Sequence, residues 1–315
     1  MNLAPPYDAE QILALRPPRN SVDPDVPYAW LVEEEAAPRG GTVDVATIFL
    51  TNRECPFRCL MCDLWKNTLK DAIPAGKIPA QIRWALAQMN LKRSPRPPHL
   101  KLYNSGNLFD PLAIPEADYG AIACLARPFE RVIVESHPRL IGSRAARFRQ
   151  LLPGEVEVAM GLETVHPDVL PRLNKQMTLD DFAAATRRLR AWRTDVRAFI
   201  LVRPPFLSDE EGLEWAKRSM DFAFAIGVEC CSLVPTRAGN GAMEELAARG
   251  LFAPPSLDAL EAALEYGLSL RAGRVFLDLW DIERIAATAP DRAERVARLA
   301  RMNLTQRIVA RGETS

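Results

Sequence analysis

Three cysteines lie close together in the string TNRECPFRCLMCDLW, which directly follows the apolar run Val43–Leu50. Cys55, Cys59 and Cys62 have the spacing Cys-x3-Cys-x2-Cys. Cysteines this close together, at the end of a predicted strand, indicate a metal-binding loop and not a disulfide framework. The chain must therefore fold so that one strand end holds three thiolates side by side.

The number of cysteines narrows the kind of metal site. A structural zinc ion and an electron-transfer iron–sulfur cube both take four protein ligands, whereas this loop supplies Cys55, Cys59 and Cys62 with no fourth cysteine nearby. Three thiolates would hold a 4Fe–4S cube through three of its irons and leave the fourth iron open to a small molecule. A zinc knuckle completed from elsewhere in the chain, or a chance grouping, is the alternative interpretation.

The loop resembles the cluster-binding loop of the radical S-adenosylmethionine (SAM) enzymes. This resemblance implies a 4Fe–4S cluster whose open iron chelates the amino and carboxylate groups of SAM. The residue before the third cysteine is often aromatic in that family and contacts adenine mainly through its backbone. Met61 stands at this position here, and we expect it to make that contact. We expect Trp65 to pack against the loop, not to replace the aromatic residue.

Length and charge fit a globular enzyme. A chain of 315 residues makes one large α/β domain or two small ones. Its 40 lysines and arginines balance 40 aspartates and glutamates, so the overall charge gives no support for nucleic-acid binding. No apolar stretch has the length of a membrane span, and the N-terminus lacks a secretory signal. With a reduced, oxygen-sensitive cluster, these features predict a cytoplasmic protein.

A repeated strand-then-helix pattern begins at Thr42. Apolar runs typical of buried parallel strands occur at Val43–Leu50, His99–Tyr103, Arg131–Glu135, Val156–Gly161, Val196–Val202 and Cys230–Val234. Helical patterns alternate with them at Pro79–Leu91, Pro115–Ala126, Ser143–Leu151, Leu179–Trp192 and Asp209–Ile226. Six such units predict an α/β fold, an open partial (β/α)6 TIM-like barrel with its site at the carboxyl ends of the strands.

Three regions follow from this pattern. Residues 1–40, rich in proline and acids, are predicted to be an N-terminal extension that lies across the core or is partly loose. Residues 41–240 are predicted to form the core barrel. Residues 241–315 are predicted to be a mainly helical region packed on the core, with a further strand at Arg274–Leu279 and a break at Pro290.

We expect the cysteines outside the loop, and a series of arginines near the C-terminus, to stabilise the fold and not to take part in a site. Cys124, Cys230 and Cys231 are expected in the core, where free cysteine is common. Four arginines recur along the terminal helix; they are Arg292, Arg295, Arg298 and Arg301. We expect them to form a solvated face paired with acids, with RNA contact as the alternative.

Polar residues follow the second predicted strand, where the mouth of the barrel should be. Ser105, Gly106 and Asn107 form a short segment whose glycine would let the backbone approach a ligand closely. A plain structural turn is the alternative. In radical SAM enzymes a glycine-containing segment at this place holds the methionyl amino group, so the resemblance implies that role for these three residues.

Charged residues follow the next three strands. Glu135 is a candidate to bind both ribose hydroxyls, unless a neighbouring arginine neutralises it. Glu163 is expected to point into the mouth, where a buried acid needs a partner. Lys175 is a candidate for the methionyl carboxylate or a plain surface lysine. Arg203 is either a cation at the rim of the site or part of a structural ion pair.

Later segments resemble one branch of the radical SAM superfamily. The stretches MGLET–NKQMT, FILVRPPFLS and VPTRAGNGAMEELAARGLFAPPSL are similar to the branch related to the elongator catalytic subunit and the radical SAM subunit of archaeosine synthase. The resemblance implies reductive cleavage of SAM to methionine and a 5′-deoxyadenosyl radical. That radical would abstract hydrogen from a tRNA nucleoside or a small metabolite.

The same resemblance implies an external one-electron donor, flavodoxin or ferredoxin, and is compatible with a partner subunit. A function of a different class fits the cysteines as well. In that alternative the chain is a non-catalytic scaffold that binds zinc or an iron–sulfur cluster.

Overall fold

Eight strands form one sheet whose spatial order is the order of the sequence. The computed structural model describes residues 7–89, 98–287, 289 and 291–312. The strands are β1 (Ala29–Ala36), β2 (Thr42–Phe49), β3 (His99–Tyr103), β4 (Arg131–Glu135), β5 (Glu155–Glu163), β6 (Asp195–Val202), β7 (Cys230–Pro235) and β8 (Arg274–Leu277). β1 pairs with β2 in the antiparallel sense, and each later pair is parallel. The predicted α/β partial barrel is confirmed, with two strands beyond the six expected for the core.

Helices flank this curled sheet and the loops at its strand ends. They are α1 (Ala9–Ala14), α2 (Lys77–Gln88), α3 (Tyr119–Ala126), α4 (Ser143–Leu151), α5 (Val169–Arg172), α6 (Leu179–Ala191), α7 (Asp209–Ala225), α8 (Ala242–Ala248), α9 (Leu257–Leu270), α10 (Ile282–Ile285) and α11 (Arg292–Thr305). α6 and α7 begin at capping boxes built on Thr178 and Ser208. The predicted end of α2 at Leu91 and the predicted break at Pro290 lie outside the described residues.

The first strand was not predicted, because the run AWLVEEEA reads as an exposed acidic segment. Its acids pair with charges on other strands: Lys101 Nζ on β3 lies 2.9 Å from Glu33 Oε1, and Arg197 Nη1 on β6 lies 2.6 Å from Glu35 Oε1. At the end of the strand, Arg274 Nη1 on β8 donates to the carbonyl oxygen of Ala36 at 3.3 Å. The sheet therefore curls far enough for β1 to reach β6 and β8.

Buried charges occupy the amino-terminal end of the barrel, where the parallel strands start. We call this set the basal charge network; it consists of Glu35, Lys101, Arg131, Glu157, Arg197 and Arg274. Glu157 is fully buried, and Arg131, Arg197 and Arg274 lie 3.2, 2.6 and 2.7 Å from its oxygens. Burial raises the pKa of Glu157, but the three arginines outweigh it and lower the pKa to about 2.

The C-terminal region packs on the barrel through ion pairs between α11 and α9. Arg295 Nη2 lies 2.8 Å from Glu261 Oε2, and Arg298 also pairs with Glu261 at 3.5 Å. For these two arginines the expected pairing with acids is confirmed, but the expected solvated face is wrong for Arg298, because its side chain is buried. None of the helices in the described part of the chain combines the length and apolar character needed to cross a bilayer.

The cysteines outside the loop divide into two kinds. Cys230 and Cys231 on β7 are buried, as predicted. The prediction for Cys124 was wrong, because its side chain is exposed on the outer face of α3.

Candidate functional site

The cysteine loop follows β2 at the carboxyl-terminal end of the barrel, and amides from distant loops hold its backbone. Asn174 Nδ2, in the loop after α5, donates to the carbonyl oxygen of Arg58 at 2.8 Å. Asn240 Nδ2, in the loop after β7, donates to the carbonyl oxygens of Leu60 at 2.7 Å and Cys62 at 3.1 Å. These bonds place the loop over the strand ends that were predicted to form the site.

The three thiols lie in surroundings that disfavour the charged form. Burial raises the pKa of all three, to about 12 for Cys59. The cation of Lys175 opposes this increase at Cys55 and Cys59, and the charges of neighbouring thiolates add to it at Cys59 and Cys62. A bound metal would supply the positive charge that the thiolates need, since metal binding releases thiol protons.

The arrangement does not match the ligand set of a single ion. Within the described residues, no group of three or more His, Cys, Asp or Glu side chains is placed to hold one metal ion. A tetrahedral zinc site brings its ligands to one centre, whereas the thiolates of an iron–sulfur cube bind separate irons.

The segment after β3 lies against the first cysteine. Asn107 Nδ2 donates to Cys55 Sγ at 3.0 Å, and Asn107 Oδ1 accepts from the backbone amide of His137. A β-carbon at Gly106 would lie 3.2 Å from the β-carbon of Cys55, so glycine allows this close approach. Ser105 has a positive φ of 51°, and its hydroxyl lies 2.9 Å from the hydroxyl of Tyr28.

Glu135 binds the backbone of the same segment. Its Oε1 accepts from the amides of Asn104 at 2.6 Å and Gly106 at 3.2 Å. Burial raises its pKa to about 7, although these hydrogen bonds lower it. The side-chain amide of Asn104 is fully buried, and neither of its polar atoms has a hydrogen-bond partner among the described residues. Such an orphaned amide is an available contact for a polar ligand.

Glu163 and Lys175 form a buried ion pair at the mouth. Lys175 Nζ lies 2.7 Å from Glu163 Oε1, and both side chains are buried, so Lys175 is not a surface lysine. Burial opposes the charged form of Lys175, but Glu163 and the thiolate of Cys59 raise its pKa above the usual value. A register shift between Gly161 and Glu163 in β5, with a φ of 65° at Glu163, turns the carboxylate toward the lysine.

His137 joins the cysteine loop to the Lys175 segment. Its ring stacks on Phe57 with centroids 3.6 Å apart, and its Nε2 donates to the carbonyl oxygen of Lys175 at 2.9 Å. Burial and the charge of Lys175 lower the pKa of His137 to about 3, so the ring is neutral at ordinary pH. His137 follows the end of β4 by two residues, which places it near the mouth.

The remaining predicted residues lie at the edge of the site. Arg203 Nη1 donates to the carbonyl oxygen of Pro254, just before α9, at 2.7 Å and lies 3.5 Å from Asp209 Oδ1 at the start of α7. Met61 and Phe206 are partly buried and pack against the same two apolar clusters. Trp65 is buried and its indole donates to the carbonyl oxygen of Cys62 at 3.1 Å, which confirms the expected packing role.

Sequence reasoning missed Asn104, Asn174 and Asn240 as site residues. Asn104 and Asn240 each follow a predicted strand within a few positions. The rule that selected Glu135 and Arg203 could therefore have selected them too. Asn174 stands beside Lys175 in a segment that had already been singled out.

The partial barrel is shared with a solved structure. The structure of Elp3 from Methanocaldococcus infernus superimposes with a TM-score of 0.50 at 16% identity, over 64% of this chain and 52% of that one. This likeness shows that the two chains share a fold.

Sequence comparisons lead to the same branch. An uncharacterised protein of Methanocaldococcus jannaschii is 23% identical over 67% of this chain and 61% of its own length. Archaeosine synthase subunit beta from Thermococcus kodakarensis is 27% identical over 61% of both chains. The same subunit from Methanosarcina acetivorans is 28% identical over 50% of this chain and 47% of its own. No known family profile matches the chain.

The chain thus spans about three fifths of the length, 61%, of the first two curated relatives. The resemblance to radical SAM enzymes, and to the branch that holds Elp3 and archaeosine synthase subunit beta, is confirmed.

Proposed function

We propose that this protein is a radical SAM enzyme that binds a 4Fe–4S cluster through Cys55, Cys59 and Cys62. The observation that carries the proposal is the position of these thiols, at the carboxyl end of β2 in a partial barrel of the Elp3 type. When bound, the cluster and SAM supply one-electron cleavage to a 5′-deoxyadenosyl radical, which removes a hydrogen atom from the substrate.

The residues around the loop fit such a cofactor pair. Three thiols with no fourth cysteine close by in the described part of the chain suit a cube with one open iron. The buried, unpartnered amide of Asn104 and the close approach at Gly106 suit a polar ligand beside Cys55. The buried ammonium of Lys175 suits a carboxylate.

We assign the polar residues of the mouth to SAM as follows. Ser105 and Gly106 hold the methionyl amino group, and Asn107 orients Cys55 beside it. Glu135 fixes the segment 104–106 through Oε1 and offers its second oxygen to the ribose hydroxyls. Lys175, oriented by Glu163, binds the methionyl carboxylate. The backbone at Met61 contacts adenine, and Arg203 closes the rim of the site.

The substrate is a tRNA nucleoside or a small metabolite. The name of two relatives, archaeosine synthase subunit beta, favours the nucleoside and favours a partner subunit that completes the enzyme. Flavodoxin or ferredoxin would donate the electron. The balanced net charge gives RNA binding by this chain no independent support, and a partner subunit could supply that affinity.

The test is reconstitution with iron and sulfide in the absence of air, followed by addition of SAM, reduction with dithionite and assay of 5′-deoxyadenosine. Cys55→Ala, Cys59→Ala and Cys62→Ala should each lose the cluster and the product. The matched control Cys124→Ala removes an exposed cysteine outside the loop and should keep both. Product formation by any of the three loop variants would overturn the proposal.

Metal analysis of the protein as purified distinguishes the proposed enzyme from the alternative, a non-catalytic metal-binding scaffold. Zinc in place of iron, with no change in the spectrum on addition of SAM, would identify a non-catalytic scaffold.

A further inference from the structure

The N-terminal segment lies against the outer side of the cysteine loop. Arg16 Nη1 is 2.6 Å from Glu54 Oε1, and Arg19 pairs with the other oxygen of the same carboxylate. Arg58, inside the loop, also reaches Glu54 at 3.1 Å. The residue directly before Cys55 is therefore held by two guanidinium groups from a segment more than thirty positions earlier in the chain.

The same two arginines hold the other end of the loop. The guanidinium carbons of Arg16 and Arg19 lie 4.5 and 5.9 Å from the ring centroid of Trp65, within the range of cation–π attraction. Arg19 also donates to the carbonyl oxygen of Trp65 at 3.1 Å and to the hydroxyl of Thr68 at 2.7 Å. Trp65 in turn donates to the carbonyl oxygen of Cys62, so both flanks of the cysteine trio depend on this segment.

Apolar packing fixes the segment to the rest of the barrel. Ile12 on α1 packs in one buried cluster with Leu60 of the cysteine loop and Leu246 on α8. The chain passes so close to the loop after β7 that a β-carbon at Gly241 would lie 1.9 Å from the carbonyl oxygen of Leu15. The segment is thus fixed between the cysteine loop and α8.

We propose that residues 8–20 form an N-terminal clamp that orders the loop 54–68 before any cluster is bound, with Arg16 and Arg19 as positioning residues. Ordering a loop costs conformational entropy, and a site that is already ordered binds its ligand at a lower cost. The role of the clamp in retaining the cluster rests on the proposed function, whereas its ordering of the loop does not.

The experiment compares Arg16→Met, Arg19→Met and the double variant with Arg39→Met. Arg39 is a matched control, because it is also an N-terminal arginine paired with a glutamate, Glu155, but its side chain is 88% exposed. Hydrogen exchange followed by mass spectrometry is measured on the full chain without metal. In the double variant, the peptide that covers residues 54–68 should exchange about tenfold faster or more, and the β4 peptide should be unchanged.

A second measurement uses the reconstituted full chain. Loss of iron to a chelator should be about tenfold faster in the double variant than in Arg39→Met. Glu54→Gln is the second variant, because it keeps the size of the side chain and removes the charge that both arginines bind; it should give the same two changes.

Unchanged exchange of residues 54–68 in both the double variant and Glu54→Gln would overturn the clamp. Faster exchange with unchanged loss of iron would overturn its role in retaining the cluster. If the wild-type chain takes up no iron, the proposed function fails, and the exchange measurement still decides whether the clamp orders the loop.

Discussion

The side-chain amide of Asn107 donates a hydrogen bond to the sulfur of Cys55 across 3.0 Å. Its carbonyl oxygen accepts from the backbone of His137, so the orientation of the amide is fixed. Hydrogen bonds to cluster sulfurs stabilise the more negative, reduced state and raise the reduction potential. Asn107 therefore belongs with the groups that set the potential of the proposed cluster.

Asn107→Ala should lower the midpoint potential of the reconstituted cluster by on the order of 50 mV, since one hydrogen bond to a charged group is lost. Redox titration followed by electron paramagnetic resonance measures this shift. Asn303→Ala, which removes an amide paired with the backbone of Leu277 on β8 instead, is the control and should leave the potential unchanged. A weaker affinity for SAM at an unchanged potential would show that Asn107 contacts SAM and does not act on Cys55.

Glu135 should make stability depend on pH in a defined direction. Burial raises its pKa from 4.5 to about 7, so the folded state favours the neutral acid. The resulting stabilisation is fully present below about pH 4.5 and is lost as the pH rises through 7. Compared with Glu135→Gln, the metal-free wild-type chain should lose up to ~3 kcal/mol of unfolding free energy between these limits.

Urea unfolding of the wild type and of Glu135→Gln, at about pH 5 and about pH 8, measures how their difference in unfolding free energy changes with pH. Glu34→Gln, at an exposed position of β1, gives the background effect of losing one carboxylate. A constant difference between wild type and Glu135→Gln across this range would contradict the assignment.

Gly161 leaves the space that the Glu163–Lys175 ion pair occupies. A β-carbon there would lie 2.0 Å from Glu163 Oε1 and 2.4 Å from Lys175 Nζ. Gly161→Ala should therefore displace the pair and destabilise the protein by about 1–3 kcal/mol, measured by urea unfolding. It should also weaken SAM binding if Lys175 holds the carboxylate.

Gly120→Ala is the control for this substitution, because nothing lies within 4 Å of the added carbon on α3. Alanine in a helix with open space should stabilise the protein by about 0.5–1 kcal/mol. Equal effects at the two glycines would mean that the ion pair tolerates the added carbon.

Glu157 forms ion pairs with three arginines of the basal charge network. Glu157→Gln leaves these cations without their shared partner in a buried site, and the cost of such a loss is about 3–5 kcal/mol. The matched control is Glu155→Gln on the same strand. Glu155 also pairs with Arg131, but its side chain is 42% exposed, and the expected cost is below about 1 kcal/mol.

Thermal or urea unfolding compares the two variants under identical conditions. Similar losses of unfolding free energy in Glu157→Gln and Glu155→Gln would show that burial adds nothing to the strength of the ion pairs in the network.

The sequence predicted most of the barrel because its strands are short apolar runs between capped helices. His99–Tyr103 and Arg131–Glu135 have the predicted limits. β1 escaped prediction because its glutamates pair with Lys101 and Arg197, which are 66 and 162 positions away from Glu35. Local pattern shows which residues are charged, but not which distant charge will neutralise them.

In the candidate site, too, local features were predictable from the sequence and long-range contacts were not. Spacing alone identified Cys55, Cys59 and Cys62, and position after a strand identified Glu135. The contacts of Arg203 with Pro254 and of Arg16 with Glu54 depend on how separate segments pack. No periodicity in the sequence carries that information.

The basal charge network also limits how a substrate can reach the cysteine loop. Its buried, mutually paired side chains occupy the end of the barrel where the parallel strands start, and separating them to admit a molecule would expose uncompensated charge. A reacting group therefore has to enter past the loops at the opposite end. For a nucleotide within a folded RNA, that path requires the base to leave its stack and swing outward before its hydrogen atom comes within range.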